Sequence, residues 1–101
     1  MKFEQTHELV MEWGEQKGIL PNPDRRAQWS KTLEEVTELF KAIMEDDEAE
    51  AMDAVGDIMV TLAMQTGAWN FTLEEAYESA YHVISKRTGK MVGGQFVKDG
   101  K

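Results

Sequence analysis

In the stretch Leu33-Glu34-Glu35-Val36-Thr37-Glu38-Leu39-Phe40-Lys41-Ala42-Ile43, apolar residues recur at helical spacing. Leu33, Val36, Leu39, Phe40 and Ile43 make one stripe, predicted to face a core. Lys31, Glu34, Glu35 and Glu38 gather towards another face. Residues three or four apart on a helix are neighbours, roughly 5–6 Å apart at Cβ, and like charges there repel. The carboxylates therefore add no stability to an isolated helix. Asp53-Ala54-Val55-Gly56-Asp57 repeats the arrangement further along the chain. A lone acidic face is ordinarily a solvated one. Two of them, on consecutive helices that must each turn an apolar side inward, can instead form an oxygen-rich cage for a hard divalent cation.

Composition sets the frame. A length of 101 residues suits one domain, residues 1–101, and 42% apolar content with three Trp and four Phe suits a folded core. Without cysteine, disulfides and thiolate metal sites are excluded, and the chain fits a reducing, cytoplasmic setting. No apolar run is long enough for a membrane span, and Met1-Lys2-Phe3-Glu4 does not open a signal peptide, so no membrane partner is expected. A net charge of −8 argues against a nucleic acid polymer. A small phosphorylated ligand remains compatible, because a bound cation reverses the local sign.

Outward from the acidic stretch, helical signals cover most of the chain. Phe3, Leu9, Val10 and Trp13 mark a first helix over 4–17, ending near Gly14 or Gly18. Asn22-Pro23 reads as an N-cap and first helical residue for a second helix, from about Asp24 to Asp46. Asp47 and Glu50 cap a third, over 48–66, with Gly67 as its C′ residue. Gly56 inside it costs about 1 kcal/mol relative to Ala. Thr72-Leu73-Glu74-Glu75 is a capping box opening a fourth helix to about Arg87, ended by Gly89. The tail, with Gly93-Gly94 between short apolar pieces, predicts a small hairpin or an extended arm. The expected fold class is all-α, a four-helix bundle with that tail.

If the acidic faces meet, Glu35 and Glu38 with Asp53 and Asp57 supply four carboxylates to one or two Mg²⁺ ions, which substrate phosphates commonly complete. Glu34 is the nearest spare carboxylate, either a general base for an attacking water or a solvated neighbour. Lys86, Arg87 and Lys90 gather near the fourth helix's end, as simple complements to its dipole or as a phosphate clamp, and Lys31 precedes the acids by one turn. Trp13 and Trp29 are candidates for stacking on a nucleobase, though aromatic residues at helical spacing more often pack in a core. His82 reads as structural or solvated.

These motifs resemble the MazG-type nucleoside triphosphate pyrophosphohydrolases, in particular the small single-domain ones of phages and mobile elements. The resemblance lies in Glu34-Glu35-Val36-Thr37-Glu38-Leu39, Asp53-Ala54-Val55-Gly56-Asp57-Ile58 and Ser85-Lys86-Arg87-Thr88-Gly89-Lys90-Met91-Val92. Trp13-Gly14-Glu15-Gln16-Lys17-Gly18-Ile19-Leu20 and Gly94-Gln95-Phe96-Val97-Lys98 extend it over nearly the whole chain. It implies an all-α fold and Mg²⁺, with Mn²⁺ as an alternative, held by Glu35, Glu38 and Asp57. The family's ExxD acid falls on Ala54, with Asp53 one position earlier, and Glu50-Ala51-Met52-Asp53 offers the spacing without the following Gly-Asp. The implied reaction cleaves a nucleoside triphosphate, expected to be a deoxynucleotide, to monophosphate and pyrophosphate. A homodimer or homotetramer is implied as well. The competing expectation is a catalytically impaired MazG-like module that binds nucleotide or protein.

Overall fold

The structure, a computed structural model, describes residues 1–100. Four helices, α1 (Phe3–Gln16), α2 (Arg25–Met44), α3 (Glu48–Thr66) and α4 (Leu73–Ile84), precede an antiparallel hairpin of β1 (Gly89–Val92) and β2 (Gln95–Lys98). The chain is thus mostly helical with a small two-stranded sheet, close to expectation. α2 and α3 run together along their lengths, α1 and α4 approach α3, and neither strand approaches a helix.

Local chemistry explains the boundaries. Asp24, rather than Asn22, caps α2 by accepting from the backbone N–H groups of Arg26 and Ala27, so the helix starts one residue after it. Asp46 (φ 52°) turns the chain, and Asp47 then accepts from the Glu50 N–H to open α3 as expected. The Thr72–Glu75 capping box closes in both directions, at 2.8 and 3.0 Å. α4 stops at Ile84, three residues short of the expected end. Bonds that reach back only three residues, from the Lys86 N–H to the Val83 carbonyl and from the Arg87 N–H to the Ile84 carbonyl, turn the chain out of the helix. Gly89 begins β1 instead of ending α4; a Cβ there would run into the Val97 carbonyl across the ladder. Gly93 and Gly94, both left-handed, form the two-residue hairpin turn.

The small core lies at one end of α3. Leu20, Ala63 and Met64 are buried, with Val10, Met11, Ile19 and Leu73 packed against them. Gly67 is helical (φ −63°), not the left-handed C′ residue expected, and it matters through its missing side chain, since a Cβ would collide with Leu20. At the same end, the Arg25 guanidinium stacks on Trp69, 3.7 Å from the ring centroid, and donates to the Ala68 carbonyl. Gln65 accepts from the Trp69 indole and donates to the Arg25 carbonyl, closing a ring between the start of α2 and the end of α3.

The predicted core stripe of α2 does not face this core. Leu33, Val36, Phe40 and Ile43 are 44–61% exposed, and of the five only Leu39 is partly buried. The face turned in carries Gln28, Thr32, Glu35, Leu39 and Ala42 instead, all buried or partly buried. Both stripes have helical spacing. Buried Ala42 on α2 and Ala54 on α3 are small enough for two helices to run close, whereas Phe40 and Trp29 are not.

Candidate metal centre

A partly buried hydrogen bond sets the level of the site. The Thr32 hydroxyl on α2 donates to Thr61 Oγ1 on α3 at 2.8 Å, and the Thr61 hydroxyl donates to the Ile58 carbonyl. An unpaired hydroxyl at such a place would cost about 1–3 kcal/mol, so the pair pins one helix against the other. Glu35 lies one turn after Thr32 and Asp57 one turn before Thr61. In an antiparallel helix pair those two turns lie alongside each other.

The electrostatics agree. Partial burial raises the Glu35 carboxyl above its ordinary range, and the negative charges of Asp57, Glu38 and Glu34 push it further; only Lys31 pulls it down. Glu35, Glu38 and Asp57 therefore share one acidic field across the two helices. Lys31 Nζ pairs with Glu34 Oε2 at 3.2 Å, the one ion pair among the described residues. Both side chains are largely exposed, so this pair holds little energy.

Asp53 turns partly elsewhere. It does not act on Glu35, but with Asp57 it lines an open cleft of about 520 Å³ between α1 and α3, together with Phe3, His7, Gly56 and Met59. A Cβ on Gly56 would meet nothing within 4 Å, so this glycine widens the cleft. Asp57 also borders a second depression shared with Trp13, Leu9 and Val60, which brings the candidate stacking residue to the acidic site. Trp29 stands on the exposed outer side of α2. Among the described residues, no three His, Asp or Glu side chains are already arranged as a metal cage.

The basic residues stand apart. Lys86 and Arg87 occupy the turn after α4, and Lys90 lies on β1, which approaches no helix. His82 is exposed near the end of α4, 6.0 Å from Tyr81 between ring centroids. His7 is the cleft residue that the motif reading passed over. Phe3, His7 and Val10 share one face of α1 at helical spacing, and that signal points the imidazole toward whatever α1 covers. No helix is long and apolar enough to cross a membrane among the described residues. The chain matches no protein-family model, no curated protein and no solved structure.

Proposed function

We propose that this chain is a cytoplasmic, MazG-like, Mg²⁺-dependent nucleoside triphosphate pyrophosphohydrolase of four-helix bundle type, working as a homodimer or homotetramer. The reading rests on one observation: Glu35, Glu38 and Asp57 crowd their negative charge across the α2–α3 pair, with Lys31 the only positive side chain acting on Glu35. An all-carboxylate donor set suits a hard cation, and crowded carboxylates are relieved by one. Bound there, Mg²⁺ (or Mn²⁺) would neutralise phosphate oxygens and make a coordinated water more acidic.

The chain's own groups account for the remaining roles. Glu35, Glu38 and Asp57 would hold the ion, and Asp53, on the cleft side of α3, would be the fourth carboxylate. Glu34, paired with Lys31 at 3.2 Å, would accept the proton of the attacking water. Trp13, half-exposed and bordering the same depression as Asp57, offers a face for the base of a deoxynucleotide. Lys86, Arg87 and Lys90 would grip phosphate oxygens with charge-assisted hydrogen bonds.

Pyrophosphate release from a panel of ribo- and deoxynucleoside triphosphates, with and without Mg²⁺, tests the reading. Metal-dependent formation of monophosphate and pyrophosphate is the expected result, and no turnover with any of them would overturn it. The position of Asp53 favours a second reading, an impaired module that binds nucleotide without cleaving it. Calorimetric binding of a non-hydrolysable triphosphate in the absence of turnover would select that one.

A further inference from the structure

Beyond α4 the chain builds an ordered hairpin that approaches no helix. Two strands alone are marginal in water and need a further apolar surface to rest on. The register shows what such a surface meets. Directly opposite residues share a face, so Lys90, Val97, Val92 and Gln95 lie on one side, and Lys98, Met91 and Phe96 on the other. Both sides have the same layout, with a lysine at the open end and apolar side chains towards the turn. Met91, Val92, Phe96 and Val97 are 49–65% exposed. Residues 91–97 carry no charge, and Lys86, Arg87, Lys90 and Lys98 stand behind them as a basic collar. Asp99, the one acid beyond α4, turns to the Thr88 hydroxyl, 2.6 Å away.

We infer that the hairpin is a membrane-surface anchor, its tip entering the interface of an anionic bilayer and its collar resting against lipid phosphates. A protein groove or a duplex would cover one face and leave the apolar side chains of the other in water. A lipid surface met end-on surrounds the tip and reaches Lys90 and Lys98 together. The depth fits as well. Strands rise about 3.4 Å per residue, so the tip from Lys90 to the Gly93-Gly94 turn is about 10 Å long. Interfacial elements sink about 5–10 Å into the boundary between headgroups and acyl chains. Both edges of the hairpin carry open N–H and C=O groups, which water and headgroups satisfy at that depth and the hydrocarbon centre would not. The acidic helices are repelled by such a surface, but screening confines that repulsion to about 8–10 Å at physiological salt. An arm clear of the helices is the part able to approach. The nucleotide reading uses Lys86, Arg87 and Lys90 but neither the apolar tip nor Lys98, so a catalytically inactive chain would attach in the same way.

The chain has no cysteine, so Gln95→Cys at the turn can carry a single environment-sensitive fluorophore, with Lys17→Cys, exposed beyond the end of α1, as control. Vesicles of equal phosphatidylglycerol and phosphatidylcholine should shift emission at position 95 to the blue, and spin-labelled lipid should quench it. Position 17 should not respond, and pure phosphatidylcholine should give a far smaller shift at 95. In co-sedimentation the unlabelled chain should partition onto the anionic vesicles. Lys98→Glu should lower that partitioning about 30-fold, at about five-fold for each unit of charge near an anionic surface. No shift at 95, an equal shift at 17, or undiminished partitioning of Lys98→Glu overturns the inference. So does a shift without vesicles that grows with protein concentration, which would put a second copy on the hairpin. A shift produced by a mixed-sequence oligonucleotide and not by vesicles overturns it too, in favour of a nucleic acid contact.

Discussion

The α2–α3 pair and the segment beyond α4 differ in charge and in what holds them. Residues 1–84 carry 18 acidic and six basic side chains, net −12, whereas residues 85–101 carry five basic and one acidic, net +4. The helix pair is tied by the Thr32–Thr61 bond, by buried alanines and by the Arg25–Trp69 ring. α4 has no buried residue, and the hairpin is exposed throughout. Local devices keep the hairpin arm in shape: the Gly93-Gly94 turn and a Thr88–Asp99 pair joined by side-chain and backbone bonds. An acidic frame that holds itself and a basic arm that does not lean on it make different predictions under mutation. Changes in the frame should divide cleanly into effects on charge and effects on packing, and changes in the arm should leave the frame's stability alone.

The largest effect is expected in the frame. Glu38→Gln removes one ligand charge without changing volume, at an exposed position. Loss of a metal's outer-shell partner alone typically costs 10–100-fold, so kcat/KM should fall by at least about 100-fold. Circular dichroism should stay unchanged, and the melting temperature without metal should hold or rise. Full Mg²⁺-dependent turnover in this variant would remove Glu38 from the site.

The arm comes next. Lys86→Ala or Arg87→Ala should lower kcat/KM by about 10- to 150-fold, the equivalent of a charge-assisted hydrogen bond of roughly 1.5–3 kcal/mol. Since α4 ends at Ile84, neither side chain sits in its last turn, and melting should barely change. Unchanged kinetics would leave these cations as solvated charges. A mixing experiment sharpens the contrast between the regions. If each arm serves a neighbour's acids, Glu38→Gln and Lys86→Ala chains mixed as a dimer should recover about a quarter of wild-type activity. If each arm serves its own chain, the mixture shows no gain over the separate variants.

Two glycines of α3 and its C-cap separate packing from shape. Gly67→Ala would drive a Cβ into Leu20, with the Met64 carbonyl and Pro23 Cδ each 3.3 Å away, and should cost about 1–3 kcal/mol by chemical denaturation. Gly56→Ala meets nothing and should instead stabilise the helix by up to about 1 kcal/mol. Should both changes cost the same, the cleft beside Gly56 would not be open.

The sequence carried the element order well because the signals were local. Asp47 with Glu50, Thr72 with Glu75 and the paired glycines each act within a few residues, and each appears where it was read. The end of α4 was misplaced because nothing local in Ser85-Lys86-Arg87 forbids another turn of helix. The direction of the α2 stripe was not legible for a different reason. Periodicity reports which residues share a face and not which partner covers it, and α3 took the neighbouring face with Thr32 and Ala42. At the acidic face, the charges of Glu38 and Asp57 act on Glu35 because helix spacing sets them on neighbouring turns of α2 and α3. Asp53 was harder: one residue of offset is about 100° of helix rotation, enough to turn it toward the α1 cleft. His7 was missed because a single histidine has no spacing partner.

The smallest effect expected is a change in pH dependence from Glu35→Gln. Burial and the charges of Asp57, Glu38 and Glu34 raise the carboxyl of Glu35 in the folded chain above its ordinary 4.5. The folded state therefore holds that proton more tightly than the unfolded state does. Stability rises with pH where the unfolded state binds more protons; here the folded state binds more, so the contribution of Glu35 falls as pH rises. It is fully present below 4.5 and is lost through the raised folded-state value. Gln has no such proton. Metal-free wild type and Glu35→Gln should accordingly melt alike in acid, and the variant should melt higher at neutral pH. Mg²⁺ should reverse that order: it binds the ionised wild-type cluster and stabilises it by mass action, while the variant, short of one charge, gains less. Melting curves at acid and neutral pH, each with and without Mg²⁺, give the comparison. If the metal-free variant is no more stable than wild type at neutral pH, Glu35 is not under the repulsion that the acidic face implies. If that difference appears and Mg²⁺ does not reverse it, the carboxylates crowd one another without holding an ion at Glu35.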